Sequence, residues 1–279
     1  VIDDTEYLTL TALSDGEITI TIPDVITTTQ ASSLSYSKDK SNWTDTIIDN
    51  KPQTITIQVS SGENVYLKGI AIQLCNDGSD SICINSTADI NASGNIMSLL
   101  YGDKYKNKIV FTNGSQYTFG YLFKGNTNLI NAENIILQAI TLTYGCYFGM
   151  FQGCTSLTTV PELPVTTLAE RCYDSMFSGC KSLTASPELP ATTLSSRCYE
   201  SMFSGCSSLT AAPELPLTEL TPSCYESMFS GCKSLTTAPE LPATTLSNRC
   251  YSSMFSGCTA LTATPKLPAT TLTDSCYYN

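Results

Sequence analysis

Thirteen cysteines and no histidine define what the side chains of this chain could do chemically. Eleven of the cysteines are Cys146, Cys154, Cys172, Cys180, Cys198, Cys206, Cys224, Cys232, Cys250, Cys258 and Cys276, so the gaps alternate between 8 and 18 residues. No C-x-x-C pair occurs, and without histidine the common zinc sites are not expected. The missing histidine also removes Ser-His-Asp and Cys-His machinery. Two readings of the regular cysteines remain. They are small buried hydrophobes, or they form a regular series of disulfides. Cys75 and Cys83 stand apart. They flank Asn76-Asp77-Gly78-Ser79-Asp80 and could close that turn as a disulfide. The same loop loosely resembles an oxygen-ligand calcium loop, although such a cluster of Asn, Asp and Gly is more commonly only a turn.

Two further sets of residues could bind. Glu162, Glu188, Glu214 and Glu240 recur once per unit, and Lys266 stands at the next equivalent position. If they point outward they form a column spaced about 5 Å apart, the parallel-strand spacing. The column is either a row of splayed, solvated side chains or a stripe for cations or basic ligands. Trp43 is the only tryptophan. It is either a core-edge residue or a platform for stacking a sugar. Acids are plentiful, but no pair is marked out for acid/base work. No catalytic residue and no cofactor is expected, and the chain does not read as an enzyme.

The elements that must position these residues follow from the period of 26. Each unit reads roughly C-Y-x-x-M-F-x-G-C-x-S-L-T-x-x-P-E-L-P-x-T-x-L-x-x-x. Five full units span 146–275, and 276–279 begin another. A decayed copy of 28 residues, 118–145, precedes them, because Leu122-Phe123-Lys124-Gly125-Asn126-Thr127-Asn128-Leu129 matches Met150 to Leu157. Leu168, Cys172, Tyr173, Met176, Phe177 and Cys180 recur at three- and four-residue steps, which predicts a helix of about two turns in each unit. Ser195, Thr221, Ser247 and Thr273 are its expected N-caps, and Pro222 follows Thr221 as a first helical residue. Gly153, Gly179, Gly205, Gly231 and Gly257 are its expected left-handed stops. Pro187 and Pro190 forbid a long strand in the remainder, so at most three or four extended residues per unit are expected to pair.

Residues 1–95 read as an all-β, sandwich-like domain. The expected strands are 7–13, 17–22, 33–37, 53–59 and 63–68, with alternating apolar residues and turns at Ser14-Asp15-Gly16 and Ser60-Ser61-Gly62. Residues 96–117 are the expected junction. The whole chain has 279 residues, of which 14% are charged, and its net charge is −11. That balance suits an extracellular protein and disfavours nucleic acid as a partner. No apolar run reaches the ~18 residues of a membrane helix, so membrane insertion is not expected.

Met176-Phe177-Ser178-Gly179-Cys180-Lys181-Ser182-Leu183-Thr184 resembles the A-F-x-x-C-x-x-L element of BspA-like leucine-rich-repeat surface proteins. Pro187 to Leu194 is similar to the longer-period variant of gut Bacteroidales. Asn95-Ile96-Met97-Ser98-Leu99-Leu100 resembles the junction that follows their amino-terminal β-domains. The resemblance covers roughly 118–279. It implies an α/β leucine-rich-repeat solenoid of 26-residue units behind the β-domain. It also implies export to the outer cell surface and adhesion to a host or bacterial surface protein or glycan, with no catalytic residues. A structural spacer or fibre component, phage-type fibres included, is the alternative. Because 276–279 start a unit without finishing it, more units or another domain are expected beyond Asn279; the alternative is a partner or a second copy covering the open end.

Overall fold

A computed structural model describes residues 6–23, 32–48, 51–70, 81–111 and 116–278. Its strands are β1 (Leu8–Ala12), β2 (Gly16–Ile22), β3 (Ser32–Ser37), β4 (Thr44–Ile48), β5 (Gln53–Val59), β6 (Asn64–Ile70), β7 (Cys83–Ser86), β8 (Ile90–Asn95) and β9 (Leu129–Ile136). They form a six-stranded sheet in the order β4-β3-β6-β1-β8-β9 and a three-stranded sheet in the order β5-β2-β7. Every pairing is antiparallel except β8 with β9. Period-two alternation turns one side of each sheet inward. Leu8, Leu10 and Ala12 of β1 join Ile18, Ile20 and Ile22 of β2, Ile57 and Val59 of β5, and Val65 and Leu67 of β6 in one buried core. Each such large aliphatic side chain contributes about 1.5–3 kcal/mol by leaving water. The five expected strands are present within two residues at each end. Within residues 1–95 three more were not legible, and β9 beyond them is longer than the three or four paired residues expected per unit. β4 is mostly exposed and so barely alternates, β7 has four residues, and β8 carries Asn and Gly, which are poor strand formers.

The junction is a docking device. α1 (Ser98–Tyr101) is the one α-helix among the described residues. The buried Ser98 hydroxyl accepts from the Leu8 N–H at 3.0 Å and donates to the Leu67 carbonyl at 2.9 Å, so it ties α1 to β1 and β6. Asn95 is fully buried; its Oδ1 accepts from the Met97 N–H at 3.0 Å, and its Nδ2 donates to Gln138. β9 belongs to the decayed unit and pairs with β8, so the large sheet runs across the expected boundary at 96–117.

The repeats are coils laid on one another, but the helix expected in each is absent, a correction to the α/β reading. Cys172, Asp174, Met176, Ser178 and Cys180 each donate their N–H to the carbonyl three residues back. Arg171, Tyr173, Ser175, Phe177 and Gly179 instead donate to Ser196, Cys198, Glu200, Met202 and Ser204 in the next coil. Successive N–H groups thus alternate between a local turn and the neighbouring coil. Arg171, Ser175 and Gly179 have φ of 55°, 57° and 77°, one left-handed residue every four positions. Each is the third residue of a four-residue turn, where a type II turn needs positive φ. Ser195, Thr221, Ser247 and Thr273 cap no helix; their carbonyls accept the first turn bond of each coil. A four-residue repeat and a 3.6-residue repeat drift apart by only about 10° per residue, too little to separate over nine residues. The readable sign was Gly145, Gly149 and Gly153, glycines at four-residue steps, all with positive φ.

Beyond the first coil, extended parts pair through single bridges, such as Ala185 with Ala211 and Thr167 with Thr193, rather than through strands. The decayed unit is the first coil. Phe119, Tyr121, Phe123 and Gly125 donate to Cys146, Phe148, Met150 and Gln152. The described part of the chain is therefore mostly β, with very little helix.

Gly94 tests the joint between the strands and the first coil. Its φ is +81°, and a Cβ there would lie 2.0 Å from the Tyr7 carbonyl oxygen. Gly62 has a similar φ of +87° with open space around it. Gly94→Ala is expected to cost well over 2 kcal/mol in urea denaturation, whereas Gly62→Ala costs only about 1 kcal/mol, the left-handed penalty alone. Equal losses would contradict the close approach.

Candidate functional site: the proline–glutamate face

The Pro-x-Leu-Pro segments determine what the exposed face looks like. Proline has no N–H, so Pro187 and Pro190 offer nothing to the adjacent coil, and neighbouring segments are not laced together there. Clefts open between them. One, of about 530 Å³, lies between 160–164 and 187–190 and also touches Glu133. The next, about 540 Å³, lies between 186–190 and 212–216. A third of about 280 Å³ and a fourth of about 640 Å³ continue the row to Pro268. Adjacent clefts share walls: Pro187, Glu188 and Pro190 line the first two. Buried leucines such as Leu189 and Leu241 line them from below.

Glu162, Glu188, Glu214 and Glu240 each line this row, and all four are exposed. Lys266 takes the equivalent place in the last cleft. None of the four carboxylates forms an ion pair or side-chain hydrogen bond among the described residues. Sequence periodicity found the glutamates. It did not find the clefts, because they depend on how far successive coils stand apart.

A second ladder runs along the turn face. Asp174, only 3% exposed, is held by Arg171 at 2.7 Å and accepts from the Ser175 hydroxyl at 2.8 Å. Arg197 pairs with Glu200 at 3.3 Å, and Arg249 reaches back to Glu226 of the preceding coil at 2.5 Å. Burial, reinforced by Glu200, outweighs the arginine and pushes the Asp174 carboxyl up to about 7. Glu200 is raised too, again chiefly by burial. These positions vary from unit to unit in the sequence, which hid their role.

Trp43 and the cysteines are placed as follows. Trp43 is half-buried. Tyr7 meets it edge-on at 5.1 Å, the Lys68 ammonium sits 3.9 Å from its ring centroid, and its Nε1 donates to the Lys40 carbonyl at 3.0 Å. One face is therefore occupied by a cation. All eleven array cysteines are buried free thiols. Cys154, Cys180, Cys206, Cys232 and Cys258 donate Sγ–H to the carbonyls of Phe123, Phe151, Phe177, Phe203 and Phe229 in the preceding coil, at 3.0–3.2 Å. Burial pushes the Cys146 thiol up to about 12 and raises those of Cys172, Cys180 and Cys206 as well. Cys83 is a free thiol that donates to the Lys124 carbonyl at 3.3 Å. Its suggested partner Cys75 and the turn at 76–80 lie outside the described residues. Among the described residues no group of three or more His, Cys, Asp or Glu could hold a metal ion, and no helix is long and apolar enough to cross a membrane.

No family model matches the chain, and no curated protein or solved structure is significantly similar to it.

Two measurements follow from this geometry. Iodoacetamide is expected to leave the array thiols untouched in the folded protein. After unfolding without reductant it should alkylate all eleven, counted by peptide mass spectrometry; five or more array disulfides would contradict the buried-thiol ladder. Asp174 supplies the second. Its folded pKa lies above its unfolded one, so its contribution is fully present below about pH 4 and is lost as pH rises through about 7. That loss is at most about 4 kcal/mol. Melting curves of the native chain and of Asp174→Asn should coincide near pH 4 and separate by pH 8, with the native chain the less stable. Parallel curves would show that this carboxyl does not titrate there.

Proposed function

We propose that the chain is an exported, cell-surface or secreted binding protein. In this reading it is a BspA-like leucine-rich-repeat solenoid behind an all-β sandwich, and its proline–glutamate face is the contact surface for a host or bacterial surface protein or glycan. The observation that carries the reading is the row of four wall-sharing clefts edged by unpaired carboxylates. Stacked coils make a long regular surface of the kind that binds extended partners. No enzymatic role is proposed, since no nucleophile–base pair or metal constellation has been identified in the sequence or at these clefts. A spacer or fibre role, phage-type included, is the second reading. It is favoured by the near-identity of the units and by the unbroken coil-to-coil hydrogen bonding.

Protein and glycan arrays probed with the intact chain and with Glu188→Gln/Glu214→Gln separate the two. A saturable hit that weakens at least tenfold in the double variant supports the binding reading. Hits unaffected by the substitution, or no hit at all, favour the spacer.

A further inference from the structure

We infer that the cleft row takes a lysine-rich, extended segment of a partner protein, one lysine side chain to a cleft. The inference rests on the proposed binding role and names the chemistry of the partner.

Two properties of the clefts point to lysine together. Proline rings in the walls and a leucine in the floor give each cleft an apolar strip beside its polar groups, and that strip suits a hydrocarbon stem. The rims carry Glu162, Glu188, Glu214 and Glu240, exposed and without cationic partners among the described residues. A lysine fits both at once. Its four-carbon stem lies along apolar surface while its ammonium stays in water beside a carboxylate. Each of the three clefts within 160–242, about 280–540 Å³, has room for such a stem. The overall charge of −11 draws a basic segment in from solution. Exposed charge pairs contribute little one at a time, so affinity would come from repetition along the stack. A metal ion has no use for the apolar strip, and a neutral apolar chain leaves the carboxylates unanswered. Lys266 replaces the glutamate in the last cleft, so the inferred segment docks over 160–242 and stops there.

The test uses the whole chain and a fluorescent decalysine peptide, followed by anisotropy at 0.15 M salt. A decamer of 2,4-diaminobutyrate carries the same number of amines on shorter stems. The first variant is Glu162→Gln/Glu188→Gln/Glu214→Gln/Glu240→Gln. The second, Asp45→Asn/Glu170→Gln/Glu219→Gln/Asp274→Asn, removes the same charge from exposed positions outside the clefts. Unchanged melting temperatures confirm that both fold. Decalysine is expected to bind saturably, at least tenfold more weakly to the first variant and within twofold of native to the second. The short-stem decamer should bind several-fold more weakly than decalysine at matched ionisation. Equal losses in the two variants would reduce the effect to net charge and overturn the inference. So would equal binding of the two decamers, full competition by equimolar spermine, or no binding at this salt. A specific array hit with no affinity for decalysine would overturn this inference and leave the binding reading standing.

Discussion

The structure depends on how the N–H groups of the turn segment are divided between two partners. Alternate residues bond within the coil, and the residues between them bond to the next coil. A helix would have bonded all but its first-turn donors internally and left the coils joined chiefly by side chains. The alternating scheme needs a left-handed residue every fourth position, and here Arg and Ser accept that conformation as well as Gly. Each non-glycine residue so placed costs roughly 1 kcal/mol. The inter-coil bonds and the buried columns beneath them offset it. Those columns are regular: Tyr147, Tyr173, Tyr199, Tyr225, Tyr251 and Tyr277 stack at 5.7–6.0 Å, and Phe123 to Phe255 stack at 5.5–5.8 Å.

The same constraint explains the cysteines. The phenylalanine carbonyl in each coil accepts one backbone bond from its own coil and a thiol bond from the next. A residue there must be small, largely apolar and able to donate, and cysteine meets all three needs. The first coil has no coil before it. There Asn126 takes the cysteine position and donates Nδ2 to the Ile84 carbonyl of β7 at 3.2 Å, while the Ile84 N–H donates to Leu122. Strand β7 stands in for a preceding coil, and the β-sheets serve as the template on which the stack begins. Gly145 and Gly149 fit the same account: a Cβ at either would strike the ring of Tyr117 or Tyr121 in the first coil.

The contact face arises where this lacing stops. Proline withholds donors along one side of each coil, and the gaps become clefts instead of a sheet. The turn side, with its backbone donors satisfied, holds the semi-buried Arg–acid pairs instead.

Much of this could be read from the chain alone. The period, the decayed first unit, the burial of the thiols and five of the strands follow from spacing and alternation, because each expresses a local repeat that the sequence must also carry. The glutamate column was visible for the same reason. Three things were not. The helix expected at 168–180 is a ribbon of turns, because its apolar period is nearly that of a helix and the choice is made by bonds to a neighbouring coil. The partnership of Asn126 with Ile84 joins residues 42 apart with no pattern linking them. The clefts exist only between coils, so no single unit encodes them. The sequence by itself determined what repeats and which side chains each coil buries; the tertiary structure decided where the backbone donors go, because those partners lie in the next coil.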